Sequence, residues 1–200
     1  MTTANQLHPY NNQPLRVSKD YGTGPWAGIS TNTLKRFLRV PTTATMNDLT
    51  VTAERAGALV ESVTSYSISE ADVTLKVEAK YLRADQDGDR WLDLPFGPVN
   101  TVTSVADSDT TYSSDLTLQN DRIPDRVKVP EAAATTGEIT VIYTVGQSSF
   151  TDLPTNVQQA VLFAFGHFWN VREAVSSPEL KQIPWSLDLI CQQFTRSVIG

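Results

Sequence analysis

The apolar positions of this chain change their spacing twice. Up to about residue 66 they recur at steps of three and four. In STNTLKRFLRV, residues 30–40, Leu34, Phe37 and Leu38 form one face, Ser30 or Thr31 can cap the start, and Pro41 follows the end. Leu49, Ala53, Ala56, Val60 and Val63 predict one stripe of a second helix from Asp48 to about Ser65. Gly57 inside that helix weakens it slightly or permits close packing.

The spacing then becomes two. Val73, Leu75, Val77, Ala79 and Tyr81 alternate with polar residues, which predicts a half-buried strand. DQDGD, 85–89, reads as a turn, and the strand after it, 91–94, closes a hairpin with the first. Further short strands are expected at 99–105, 116–118, 126–129 and 138–145, with turn residues between them. EITVIYTVG is the strongest of these, bounded by Gly137 and Gly146.

Helical spacing returns at Pro154, a residue tolerated in a first helical turn. Val157, Val161, Ala164, Phe168, Val171 and Val175 make one stripe, and Ala160, Phe163 and Trp169 widen it. A helix so apolar belongs between other elements or at an interface. Pro178 and Pro184 bracket a break. Residues 185–196 form the closing helix, with Leu187, Ile190, Cys191 and Phe194 on one face. The expected class is α+β: a small helical bundle, two helices from each end of the chain, with an antiparallel β insertion. Residues 1–29 read as an extended polar arm whose end, near Trp26 and Ile29, packs on something. Residues 30–200 read as one domain: helices within 30–66, β insertion 70–146, helices within 154–200.

Charge and composition narrow the function. Sixteen Lys+Arg against twenty-two Asp+Glu give a net charge of −6. Gripping phosphate backbones rests on Lys and Arg displacing counterions, so an acidic chain points to protein partners. The one cysteine, Cys191, allows no internal disulfide and no cysteine zinc cluster. No apolar run reaches the length of a membrane span, and the N-terminus has no apolar core of a signal peptide.

Catalytic and metal chemistry lack a constellation. In DQDGD, Asp85, Asp87 and Asp89 fit the first ligand positions of a calcium loop, but Arg90 stands where glycine is required and Phe96 where a glutamate is required. His167 is isolated in the apolar helix and His8 in the arm, without metal-ligand spacing. Cys191 reads as a small buried hydrophobe. The chain is expected to be no enzyme and to need no cofactor.

Several segments resemble the head–tail connector family of tailed phages and gene transfer agents, also called adaptor or head-completion proteins. LKRFLRV and the capped helix ending near Glu61 resemble that family's opening helices. LDLPFGPVNTVTSV, 92–105, resembles its strand–proline–strand segment, and GEITVIYTVG its strand ending in Tyr-Thr-x-Gly. LPTNVQQAVLFAFGHFWNVREAV resembles its signature helix at Pro154, Gln159, Ala160, His167, Trp169, Arg172 and Glu173. IPWSLDLICQQFTR resembles the closing helix that runs to an arginine, here Arg196. The match spans residues 30–196, and the arm departs from it.

The resemblance implies a structural virion protein of the neck, assembled in the host cytoplasm. Such subunits form a ring, typically of twelve, beneath the portal. The ring extends the DNA channel without binding DNA specifically and docks the next neck or tail protein. The C-terminal segment, 178–200, would dock on the portal through Trp185, Leu187, Ile190 and Phe194. Phe163 and Trp169, off the main stripe, would meet the chain's own short helices or an adjacent subunit, with Arg172 and Glu173 at the rim of that contact. Competing readings are another neck protein, such as a stopper or tail terminator, and a β-rich carbohydrate-binding module. The latter needs Tyr81, Trp91, Phe96 and Tyr112 on one exposed face.

Overall fold

A computed structural model describes residues 2–8, 13–21, 29–38, 46–82, 84–121, 123–133, 136–171 and 185–193. Among them, helices and antiparallel strands both occur, so the fold is α+β as expected. Two units emerge, each with its own core. One holds the strands, in the N-terminal segment and 70–146; the other holds the helices, before residue 70 and after 146.

The strand unit has two sheets. The larger has six strands: β1 (Thr2–His8), β2 (Gln13–Asp20), β3 (Ala71–Glu78), β5 (Val99–Ala106), β6 (Thr111–Tyr112) and β9 (Glu138–Val145), in the order β1-β2-β3-β9-β5-β6. The smaller holds β4 (Arg90–Asp93), β7 (Leu118–Gln119) and β8 (Arg126–Val129), in the order β4-β8-β7. β3 and β9 are the central pair, in register from Ala71↔Val145 to Glu78↔Glu138. Their alternating Val73, Leu75, Val77, Ile139, Val141 and Tyr143 point into a core shared with Leu92, Val127 and Val129 of the small sheet.

Two expectations are corrected here. Strands β3 and β4 form no hairpin: β3 pairs with β2 and β9, and β4 with β8. DQDGD is a turn, but it leads from one sheet into the other. Alternation reports that a strand has one buried face and says nothing about its partner. Residues 2–8 and 13–20 within the polar N-terminal stretch form a hairpin, and β2 adds to β3 from Arg16↔Lys76 to Asp20↔Asp72. Val17 and Lys19 of β2 face inward, and the Lys19 ammonium lies 4.5 Å from the Tyr21 ring and 5.2 Å from the Phe96 ring.

The helical unit comprises α1 (Thr31–Leu38), α2 (Met46–Thr64), α3 (Thr155–Val171) and α4 (Trp185–Gln192). Ser30 caps α1: its Oγ accepts the Thr33 N–H at 3.1 Å. Ser65, with φ of 55°, takes the left-handed position that closes α2. Just beyond it the Glu61 carboxylate accepts the Ile68 N–H at 2.7 Å.

Leu49, Ala53, Ala56 and Val60 of α2 pack on Val157, Ala160, Val161, Ala164 and Phe165 of α3, with Leu34, Leu187 and Cys191 joining them. The α2 stripe ends one residue differently from its prediction. Val63 is exposed, and Thr64 turns inward instead, with its hydroxyl donating to the Val60 carbonyl at 2.6 Å. That bond lets a polar residue occupy a buried helical position.

Candidate functional site

Helix α3 presents two different surfaces. Its inner face is buried in the core just described. On its outer side Phe163 is 44% exposed, and the Phe37 ring of α1, 42% exposed, meets it edge-to-face with centroids 6.3 Å apart. Phe37 was expected on the buried face with Leu34. Leu34 alone of the two reaches the core, and Phe37 lies across the helix surface toward α3. Lys35 and Arg36 lie in the same last turn of α1 as Phe37. Among the described residues, the other large apolar side chains exposed on this unit are Val51, Val63 and Leu189.

Trp169 behaves differently from Phe163. It is half-buried and packs on the chain's own core, its ring 6.1 Å from that of Phe165. His167 is also half-buried, with its ring 5.9 Å from Phe168. Phe165, fully buried at the centre of α3, is absent from the stripe predicted from sequence. Arg172, Glu173 and Val175 lie outside the described residues, as does the side chain of Val171.

The predicted C-terminal anchors separate in the same way. Leu187 is 3% exposed and serves the helical core, and Ile190 packs partly against it. Leu189 is the apolar residue that α4 turns outward, at 43% exposure. Trp185 opens α4, but its side chain lies outside the described residues, and so does Phe194.

In the strand unit, polar chemistry is spent on internal structure. Asp85 Oδ1 accepts the N–H groups of Asp87 and Asp89 at 3.0 and 2.9 Å, and Oδ2 accepts the Trp91 indole N–H at 3.0 Å. Partial desolvation raises the pKa of Asp85, but these three hydrogen bonds and the Arg126 charge outweigh it and hold the carboxyl below its ordinary range. Asp89 pairs with Lys128 at 2.7 Å, and the Arg126 guanidinium lies 4.3 Å over the Trp91 ring. The DQDGD carboxylates therefore knit the turn to the small sheet. Among the described residues, no three His, Cys, Asp or Glu side chains converge as metal ligands, and no helix is long and apolar enough to cross a membrane.

The strand aromatics do not form an open platform. Phe96 and Tyr112 pack against the sheet core, Trp91 lies under Arg126, and Tyr81 lies under Lys80. An open hollow of about 410 Å³ at the end of β3 and β9 is lined by Glu78, Lys80, Thr136, Gly137 and Glu138. Its carboxylates are already engaged, Glu138 with Lys76 at 2.9 Å and Glu78 with Lys80.

Charge is unevenly divided. Segments 1–22 and 70–146 carry fifteen Asp+Glu against nine Lys+Arg, whereas the rest of the chain carries seven of each. The whole net charge of −6 thus belongs to the strand-bearing segments.

No protein-family model matches the chain, and no curated protein does. Solved structures do. A chain from the neck of an empty gene transfer agent particle, computed with C6 symmetry, superposes with a TM-score of 0.69 at 17% identity, covering 92% of this chain and 97% of that one. A chain from the virion of a native gene transfer agent particle gives 0.68 at 18% identity, with the same coverage. One from the neck of a native particle, computed with C12 symmetry, gives 0.61 at 18% identity over 84% of this chain and 89% of that one. Over nearly its whole length, this chain has the fold of chains found in gene transfer agent particles and their necks.

Proposed function

We propose that this chain is a structural neck protein of the adaptor type. In this reading, copies close into a ring beneath the portal, continue the DNA channel, and dock the next neck or tail protein. The observation that carries the reading is the fold likeness along nearly the whole chain to neck chains of particles computed with C6 and C12 symmetry. An acidic strand-bearing unit facing a channel would repel DNA phosphates and let the genome slide.

Within the ring, Phe163 is placed at the contact between subunits, with Arg172 and Glu173 at its rim; Trp169 braces the helix from inside its own unit. Segment 178–200 is placed against the portal, with Trp185, Ile190 and Phe194 as apolar anchors and Leu187 holding α4 to its own core. Buried aromatic anchors tend to dominate interface energy.

The test is a producer strain lacking this chain, complemented with the full chain or with one ending at residue 183. The strain without it, and the strain with the truncated chain, are expected to release DNA-filled or leaky heads without tails. Normal yields of tailed particles in the absence of the chain would overturn the reading.

A further inference from the structure

The six-stranded sheet ends on one side at β1, whose register with β2 runs unbroken from Thr2↔Lys19 to His8↔Gln13. Among the described residues no strand covers the other side of β1. A sheet edge presents a row of backbone N–H and C=O groups, and folded proteins guard it by shortness, charge, proline or a bulge. β1, TTANQLH, has none of these: it is seven residues long, regular, and free of Asp, Glu, Lys, Arg and Pro. The charges of this hairpin sit on the inner strand, as Arg16, Lys19 and Asp20 of β2.

The other edges among the described residues are guarded. β6 and β7 have two residues each. β4 has four, with Arg90 and Asp93 at its ends and Arg90 bridged to Ala84. The part of β5 that β6 leaves uncovered is broken by two register shifts. β1 alone of these edges has the length, regularity and lack of charge of a strand that accepts another strand.

The same inventory selects the occupant. Two β1 edges can meet only about a two-fold axis, and a ring built by rotation about one axis places none between neighbours. The guarded edges of a neighbouring copy offer two to four residues against seven on β1. An edge without charge gives a partner no ion pair to make, so its affinity rests on main-chain hydrogen bonds. Building on the ring reading, we propose that β1 takes up an extended segment of a different neck protein as a further strand of the sheet. That segment matches the seven residues of β1 in length and is poor in charge, because nothing on the edge compensates a charge brought against it.

The first experiment is a proline scan of Thr3, Ala4, Asn5, Gln6 and Leu7 in the full chain, read in a complemented producer strain. In an antiparallel pair, alternate residues direct their N–H toward the partner strand and the others direct it outward. Proline at the first set breaks the β1–β2 ladder; proline at the second removes only an outward donor. One parity should therefore keep the parent's urea midpoint and still lose tailed particles. Tailed particles at parental yield, containing variants of both parities, would overturn the proposal and leave the ring reading intact. Tailed particles that form without incorporating the chain would overturn the ring reading and the proposal with it.

The second experiment identifies the strand and does not depend on the proline variants folding. A benzophenone amino acid replaces Thr3, Asn5 or Leu7, tailed particles are irradiated, and the attachment sites are mapped by mass spectrometry. The expected result is attachment to one other neck protein, at sites that move along its sequence in step as the probe moves from 3 to 5 to 7. Attachment only to copies of this chain, scattered attachment, or none would overturn the proposal.

Discussion

Asp125 ties two strands of different sheets together. Its carboxylate, in a residue 1% exposed, accepts the backbone N–H of Val99 at 2.9 Å, and its own carbonyl accepts the N–H of Leu94 at 2.8 Å. Val99 opens β5 in the large sheet, and Asp125 sits one residue before β8 in the small one. Removing the side chain leaves a buried N–H unpaired, which costs about 1–3 kcal/mol. Asp125→Ala should therefore lower unfolding stability by at least that much in urea titration. Asp125→Asn keeps an acceptor and should lose less. Equal stability of the alanine variant and the parent would show that Val99 finds another partner.

The turn at Asp85 should give the strand unit an acid-sensitive component. The hydrogen bonds from Asp87, Asp89 and Trp91 act on the ionised carboxylate and lower its folded pKa below the ordinary 3.8. A carboxyl with a depressed folded pKa contributes stability above its unfolded pKa and loses it as pH falls through the folded one. Stability should decline below about pH 4 more steeply in the parent than in Asp85→Asn. Urea midpoints measured by Trp fluorescence between pH 2 and 7 test this. Parallel pH profiles for the two proteins would rule the turn out as a contributor.

Tyr143 is a candidate for gain by removal. Its hydroxyl is buried and makes no hydrogen bond of full geometry, with the Phe96 backbone the polar group that interacts with it. Burial, with the Asp125 charge adding to it, pushes its pKa far above the ordinary tyrosine range, so the hydroxyl stays neutral. A polar group buried without a partner costs on the order of 1–3 kcal/mol, so Tyr143→Phe should match or exceed the parent by about 1 kcal/mol. A clear loss of stability in that variant would mean that the hydroxyl is bonded after all.

The sequence made the period of each element legible, and partner choice much less so. The strands at 126–129 and 138–145 have the boundaries expected from sequence, because alternation and flanking turn residues mark them directly. A hairpin of β3 with β4 fails because such a reading assumes that neighbours in sequence are neighbours in the sheet. The N-terminal strands lack alternation and contain Pro14, so little separates them from an arm. Phe165 falls outside the predicted α3 stripe because that stripe takes its neighbour Ala164, and adjacent helical residues can share one broad buried face. Asp125 left no trace, since a single aspartate in a turn looks the same whether it faces solvent or ties two sheets together. The Phe37–Phe163 contact required knowing that α1 lies across α3, which no local pattern encodes.

Phe163 and Phe165 provide a matched pair for separating assembly from folding. They are two positions apart on one helix and therefore point in well-separated directions. Phe165 is fully buried against the helical core with Trp169 beside it, so Phe165→Ala opens a cavity and should cost about 3–5 kcal/mol. Loss of the neighbouring ring should also shift the Trp169 emission to longer wavelength. Phe163 is largely open and holds one edge-to-face contact, so Phe163→Ala should cost about 1 kcal/mol or less. Urea unfolding of the two purified variants gives the stabilities, and complementation of a producer strain gives the yield of tailed particles. Phe163→Ala should be nearly as stable as the parent and yet deficient in joining tails. Full complementation by Phe163→Ala would remove α3's outer surface from the assembly interface, whatever the fate of Phe165→Ala.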